Sequence, residues 1–136
     1  MRASEKTKRK ISTLLLAISL SAIVAVPFST ASTDGWQKVG EGTMAYQGGV
    51  TYKSITVESK GDDFRVCSDK GGAYTLREYD PGTNADENAG QKTIPSGGGC
   101  KTWENIGSFV DGTNNRAEFY VLTASSSGPP YVKLYD

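Results

Sequence analysis

The chain has 136 residues, with 15 basic and 15 acidic side chains, so that its formal net charge is zero. It contains no histidine. This absence excludes Ser-His-Asp triads, Cys-His pairs, histidine general bases and histidine-ligated zinc.

The N-terminal segment has the three parts of a secretory signal peptide. The head "MRASEKTKRK" carries five basic residues and one acidic residue, and the following "ISTLLLAISLSAIVAV" carries no charge. The small residues of "STA" at 29–31 suit cleavage after Ala31. The alternative is an N-terminal membrane anchor, for which the apolar run is short. We predict a cleaved signal peptide at 1–31 and a secreted, extracellular domain at 32–136.

The charge after the predicted cleavage site differs from that of the whole chain. Residues 32–136 hold 10 basic and 14 acidic side chains, a net charge of −4. Their sequence shows no basic patch for nucleic acid and no second apolar run to span a membrane. The lysine-rich head resembles those of Gram-positive bacterial exports. We therefore expect a mildly acidic, single-domain protein that is a monomer and binds no nucleic acid.

Apolar residues recur with period two between Gly-, Asn-, Asp- and Pro-containing turns, which is typical of short strands. Chain order gives candidate strand segments at 36–39, 42–46, 50–58, 64–67, 74–79, 92–94, 100–103, 108–110, 116–123 and 131–135. The 50–58 strand changes phase near Lys53 and Ser54, which predicts a bulge or a strand that changes sheets. "DGTNN" at 111–115 is the best hairpin turn.

Seven to nine short strands at this spacing predict an all-β antiparallel sandwich, or alternatively a small barrel. The phase shift and a long acidic loop favour the sandwich. Cys67 and Cys100 are the two cysteines, 33 positions apart. Outside the cell such a pair predicts a disulfide. The alternative of a redox or metal-binding thiol pair lacks the CxxC spacing.

The acidic segment "LREYDPGTNADENAG" at 76–90 is the candidate metal site. Calcium takes six to eight oxygen ligands, which Glu78, Asp80, Asp86 and Glu87 could supply, together with Asn84 and Asn88. The alternative is a solvated turn, since Asp-Pro-Gly is a turn sequence by itself.

Residues 74–94 resemble the third calcium loop of C2 domains. The resemblance rests on Glu78, Asp80, Asp86 and Gly90 and covers about 20 residues. It implies calcium ligation by these carboxylates, and a loop at the edge of a sandwich more than it implies membrane binding. An EF-hand interpretation is weaker, because Pro95 stands where the twelfth-position Glu would be.

Paired carboxylates, such as Glu78 with Glu104 or Asp111, could in principle hydrolyse glycosides, but no motif selects a pair. We therefore expect no enzyme. We expect Trp103 to lie in the core against the disulfide, Trp36 to lie in the core, and exposed rings at Tyr46, Tyr52, Tyr79 and Tyr120.

Three functions remain open. The first is a non-catalytic extracellular binding module for polysaccharide or protein, with a row of exposed aromatic rings on one sheet. The second is a small secreted toxin, antimicrobial or enzyme inhibitor, with a stiff protruding loop at 80–90 or 95–99. The third is a calcium-binding surface protein.

Overall fold

The computed structural model describes residues 35–111 and 113–136. The predicted signal peptide and its cleavage site lie outside the described residues. The described residues form ten strands and one short 3-10 helix. They are β1 Lys38–Thr43, β2 Ala45–Gly48, β3 Thr51–Lys53, β4 Val57–Ser59, β5 Phe64–Ser68, β6 Gly72–Glu78, β7 Glu87–Ile94, β8 Gly99–Trp103, the 3-10 helix Ile106–Phe109, β9 Ala117–Ala124 and β10 Tyr131–Tyr135.

The strands form two antiparallel sheets, which confirms the predicted all-β sandwich. The four-stranded sheet has the order β1-β10-β5-β8. The six-stranded sheet has the order β2-β3-β9-β6-β7, and β4 also pairs with β9. The ten strands exceed the predicted seven to nine, and the predicted 50–58 strand is divided into β3 and β4.

The division of the predicted 50–58 strand follows from the phase shift near Lys53. Lys53 pairs with Leu122, whereas Val57 pairs with Phe119, so one extra residue lies on the β3–β4 side. Ser54 fills the break, since its Oγ accepts the Val121 N–H at 2.9 Å. The bulge interpretation is therefore correct, and both halves stay on the same edge of β9.

The core lies between the two sheets and comes from the inward-facing row of each strand. Its fully buried members include Phe64, Val66, Tyr74, Leu76, Phe119, Val121, Val132 and Leu134. Alternation places Arg65, Thr75, Leu122 and Lys133 on the opposite faces. The period-two pattern of the sequence thus corresponds to one buried and one outward row in β5, β6 and β10, whereas in β9 Tyr120 of the other row is buried as well.

Two predicted elements differ from the structure. The predicted strand at 108–110 is wrong, because Ile106–Phe109 is a 3-10 helix entered through Asn105 at φ 55°. A left-handed residue turns the chain too sharply for a strand to continue. The strand predicted at 92–94 begins earlier, at Glu87, so the acidic loop is limited to 79–86.

Candidate functional site

The carboxylate of Glu78 ends β6 on the core side of the six-stranded sheet. Glu78 shares the inward row with Tyr74 and Leu76, and only 1% of its surface is exposed. Both carboxylate oxygens are buried and accept no hydrogen bond from the described residues. A buried carboxylate without partners is costly to ionise. Burial, followed by the charge of Asp80, accordingly raises the pKa of Glu78 from 4.5 to about 7.

Two further carboxylates meet Glu78 at this end of the sandwich. One oxygen each of Glu78, Asp80 and Asp111 can be chosen so that all three lie within 4.8 Å of one another. We call these three residues the acidic cluster. Asp80 is half-buried and Asp111 is exposed. The cluster therefore has Glu78 at its buried end and Asp111 at the end that faces solvent.

Strand pairing explains why Asp111 reaches the cluster. Glu78 pairs with Phe119 of β9, and the Tyr79 N–H donates to the Glu118 carbonyl at 2.7 Å. The turn that precedes β9, closed by the Asp111–Arg116 bridge, therefore stands beside the end of β6. Asp111 was not among the metal ligands predicted from sequence. Only the register of β6 on β9 brings it there, and no local motif records that register.

Asp86, a predicted metal ligand, is not one of the three residues of the acidic cluster, and it holds the loop against the sheet. Its Oδ2 accepts the Tyr120 hydroxyl at 2.6 Å, and its Oδ1 accepts the Asp80 N–H at 3.3 Å. The Arg77 guanidinium donates to its backbone carbonyl. The Tyr120 hydrogen bond lowers the pKa of Asp86, as expected for a carboxylate that accepts bonds in its charged form.

The remaining predicted ligands occupy different positions. Glu87 is exposed in β7 and is not part of the acidic cluster. Asn88 accepts the Gly90 N–H through its side-chain oxygen at 2.9 Å, which stabilises the β7 backbone. Asn84 lines a groove of about 440 Å³ beside the cluster, with Thr113, Asn114 and Glu118. The structure therefore joins Glu78 and Asp80, leaves out Asp86 and Glu87, and adds Asp111.

A second surface lies on the outer face of the four-stranded sheet. Tyr131, Lys133 and Tyr135 alternate in β10 with the buried Val132 and Leu134, so they share this face. Trp36 lies on the same face, with its ring 5.5 Å from the Arg65 guanidinium carbon. We call Trp36, Tyr131 and Tyr135 the aromatic face. Trp36 is half-buried, so its predicted place in the core is wrong.

The disulfide lies on the same outer face. Cys67 and Cys100 are bonded, as predicted, and pair directly across β5 and β8. With Tyr131, Lys133 and Asp69 they line a groove of about 380 Å³. Trp103 is a core residue, as expected, but it does not pack on the disulfide. It stands three residues from Cys100 and so points inward, where its indole N–H donates to the Gly90 carbonyl at 3.0 Å.

The predicted exposed tyrosines divide into three groups. Tyr46 is 62% exposed and Tyr79 is 42% exposed, as predicted. Tyr52 is half-buried and packs edge-on against Tyr46 with ring centroids 5.8 Å apart. The prediction for Tyr120 is wrong, since only 5% of it is exposed. Lys53 covers its ring at 3.7 Å, and Asp86 accepts its hydroxyl.

Comparison with known proteins gives one family and one curated relative. The family described as "YndA coiled coil domain" matches residues 38–134. The "Uncharacterized protein YndA" of Bacillus subtilis (strain 168) is 42% identical over 111 residues, which are 79% of this chain and 78% of the relative. No solved structure matches the chain.

The described part of the matched region consists of strands joined by turns and one four-residue 3-10 helix. The words "coiled coil" in the family's description therefore do not correspond to the fold of these residues. Within the described ranges, no helix reaches the length and apolarity that a membrane crossing requires.

Proposed function

The chain belongs to the family described as YndA coiled coil domain, and on that premise we propose that it is an exported, non-catalytic binding module for extracellular polysaccharide. Its contact surface is the outer face of the four-stranded sheet. The observation that carries this proposal is the aromatic face, three rings on one side of a sheet with a packed core behind it.

The arrangement of the rings suits an extended, hydroxyl-rich ligand. Tyr131 and Tyr135 are four positions apart on one strand, roughly 14 Å at about 3.4 Å per residue. Aromatic rings offer large contact areas at low entropic cost, and tyrosine adds a hydroxyl. Tyr131 is 39% exposed, and the groove beside it carries the polar groups of Asp69 and Lys133.

The non-catalytic part of the proposal is supported by the chemistry of the acidic cluster. Glu78 has the raised pKa of a general acid, and Asp111 lies beside it as a second carboxylate. A general acid must, however, come within hydrogen-bond distance of its substrate. Both oxygens of Glu78 are buried, so a glycosidic oxygen has no direct access to them.

The alternative of a toxin or inhibitor calls for a stiff protruding loop. Residues 87–90 of the candidate 80–90 loop belong to β7, and Asp86 bonds the rest of that loop to Tyr120 of β9. The Gly98 N–H of the 95–99 candidate closes a tight turn onto the Pro95 carbonyl at 3.0 Å. Asp86 thus holds the 80–90 candidate against the sheet, whereas the tight 95–99 turn has the stiffness that this alternative requires.

The proposal is tested by co-sedimentation of the purified protein with insoluble peptidoglycan, chitin and cellulose. We expect binding to at least one of them. Single changes Trp36→Ala, Tyr131→Ala and Tyr135→Ala should each weaken it by about tenfold, since a buried aromatic contact typically costs more than 1 kcal/mol when truncated.

Tyr46→Ala is the matched control, because Tyr46 is more exposed than Tyr131 and lies on the other sheet. It should bind as the unmodified protein does. A thermal melt of each variant shows whether it is folded. Equal loss with Tyr46→Ala, or no binding to any of the three polymers, would contradict the proposal.

A further inference from the structure

We propose that Glu78, Asp80 and Asp111 bind one calcium ion at the end of the sandwich where β6 stops. This site is separate from the aromatic face, so the inference stands independently of the proposed polysaccharide binding. Its ligand set also differs from the set that the sequence indicated, since Asp111 replaces Asp86 and Glu87.

The spacing of the cluster fits one ion. Calcium binds oxygen at 2.3–2.6 Å, so two ligands of one ion are at most about 5 Å apart. The chosen oxygens of Glu78, Asp80 and Asp111 lie within 4.8 Å of one another. A single ion placed among them can therefore reach all three carboxylates without a large movement of the backbone.

Glu78 gives an independent indication of a ligand. Only 1% of its surface is exposed, and neither of its carboxylate oxygens accepts a hydrogen bond from the described residues. Buried polar groups in native proteins almost always have a partner. The oxygens of Glu78 lie at the base of the acidic cluster, where an ion would supply the missing partner.

Among the described residues, no basic side chain forms an ion pair with the cluster. In residues 35–111 and 113–136, the ion pairs are Lys38–Glu41 and Arg116–Glu58. Three carboxylates that are close together and have no basic partner repel one another. A bound divalent cation would neutralise most of that charge and favour the ionised form of all three.

Calcium fits the donors better than magnesium does. The groove beside the cluster is lined by Asn84, Thr113, Asn114 and Glu118, whose side chains contain oxygen atoms. These residues belong to the 79–86 loop, to the turn before β9 and to β9 itself, an irregular set that suits the six to eight ligands of calcium. Magnesium requires a nearly ideal octahedron and retains its water.

The test is calcium titration of the purified protein after treatment with a chelator, by calorimetry and by thermal melting. We expect one calcium per chain and a rise in Tm of about 5 °C or more at 10 mM calcium, from a dissociation constant of about 10⁻⁴–10⁻³ M. Asp111→Asn should weaken calcium binding by at least about tenfold. Asp111 is exposed, so this variant should fold, and its melt without calcium checks that.

Glu104→Gln is the matched control, since it removes an exposed carboxylate outside the cluster. It should keep the full calcium response, and magnesium at the same concentration should give a much smaller one. Three results would overturn the inference. They are no response to 10 mM calcium, an unchanged response in Asp111→Asn, and equal responses to magnesium and calcium.

Discussion

Replacing Glu78 by glutamine in the calcium-free protein should change how stability depends on pH. The pKa of Glu78 is about 7 in the folded protein, against an ordinary value of 4.5. The folded state therefore retains a proton that the unfolded chain releases between pH 4.5 and 7. Stability that depends on this proton is fully present below pH 4.5 and is lost as pH rises through 7. The loss corresponds to about 3 kcal/mol at 1.36 kcal/mol per pKa unit.

Glutamine keeps the size of glutamate and carries no charge at any of these pH values. The Glu78→Gln protein should therefore gain about 3 kcal/mol relative to the unmodified protein between pH 4 and pH 8. Urea unfolding with a chelator present, followed by tryptophan fluorescence, measures this difference. With a urea m-value of about 1–3 kcal/mol/M, the gap between the two midpoints should widen by at least about 1 M.

Glu104→Gln serves as the control, because Glu104 is exposed. Its midpoint should remain close to that of the unmodified protein at pH 8. A stability difference for Glu78→Gln that stays constant from pH 4 to pH 8, or that moves against the glutamine variant as pH rises, would refute the reasoning about the buried carboxylate.

Two further changes test how the sheet and the acidic loop are held. Replacing both Cys67 and Cys100 by serine should lower the free energy of unfolding by about 3–4 kcal/mol, the chain-entropy value for a loop of 33 residues. Equilibrium unfolding measures this loss, and the reduced unmodified protein should show the same loss. A loss below about 1 kcal/mol would contradict the prediction. Tyr120→Phe removes the hydroxyl that donates to Asp86 and should cost about 1.5–3 kcal/mol, as for a hydrogen bond to a charged group. Amide hydrogen exchange should then become faster in residues 79–86. The control Tyr46→Phe, at an exposed hydroxyl, should change neither the free energy of unfolding nor the exchange rate. Equal effects of the two substitutions would refute the assigned role of Asp86.

The fold could be predicted largely from local pattern. Period-two alternation is present in the sequence of most strands, and it corresponds to the buried row that contains Phe64, Leu76 and Leu134. The disulfide followed from the count of two cysteines. The 3-10 helix Ile106–Phe109 could not be predicted from the sequence, because it depends on the left-handed conformation of Asn105. An asparagine at this position is equally compatible with the end of a strand.

The candidate sites could be predicted only in part, because they depend on pairing between distant strands. The sequence identified Glu78 and Asp80, which are two positions apart in the chain. Asp111 joins them through the register of β6 on β9. Tyr120 showed no sign of burial, since its cover comes from Lys53 on another strand and from Asp86 in a loop.

The position of the disulfide also determines what remains when the protein unfolds. Cys67 and Cys100 join neighbouring strands of one sheet, and the 32 residues between them contain β6 and β7 of the other sheet. An oxidised, denatured chain therefore keeps Cys67 and Cys100 together and holds the β6–β7 segment in a closed loop. The passage of the chain from the four-stranded sheet to β6, and back from β7 to β8, therefore takes place within a loop whose ends are already joined.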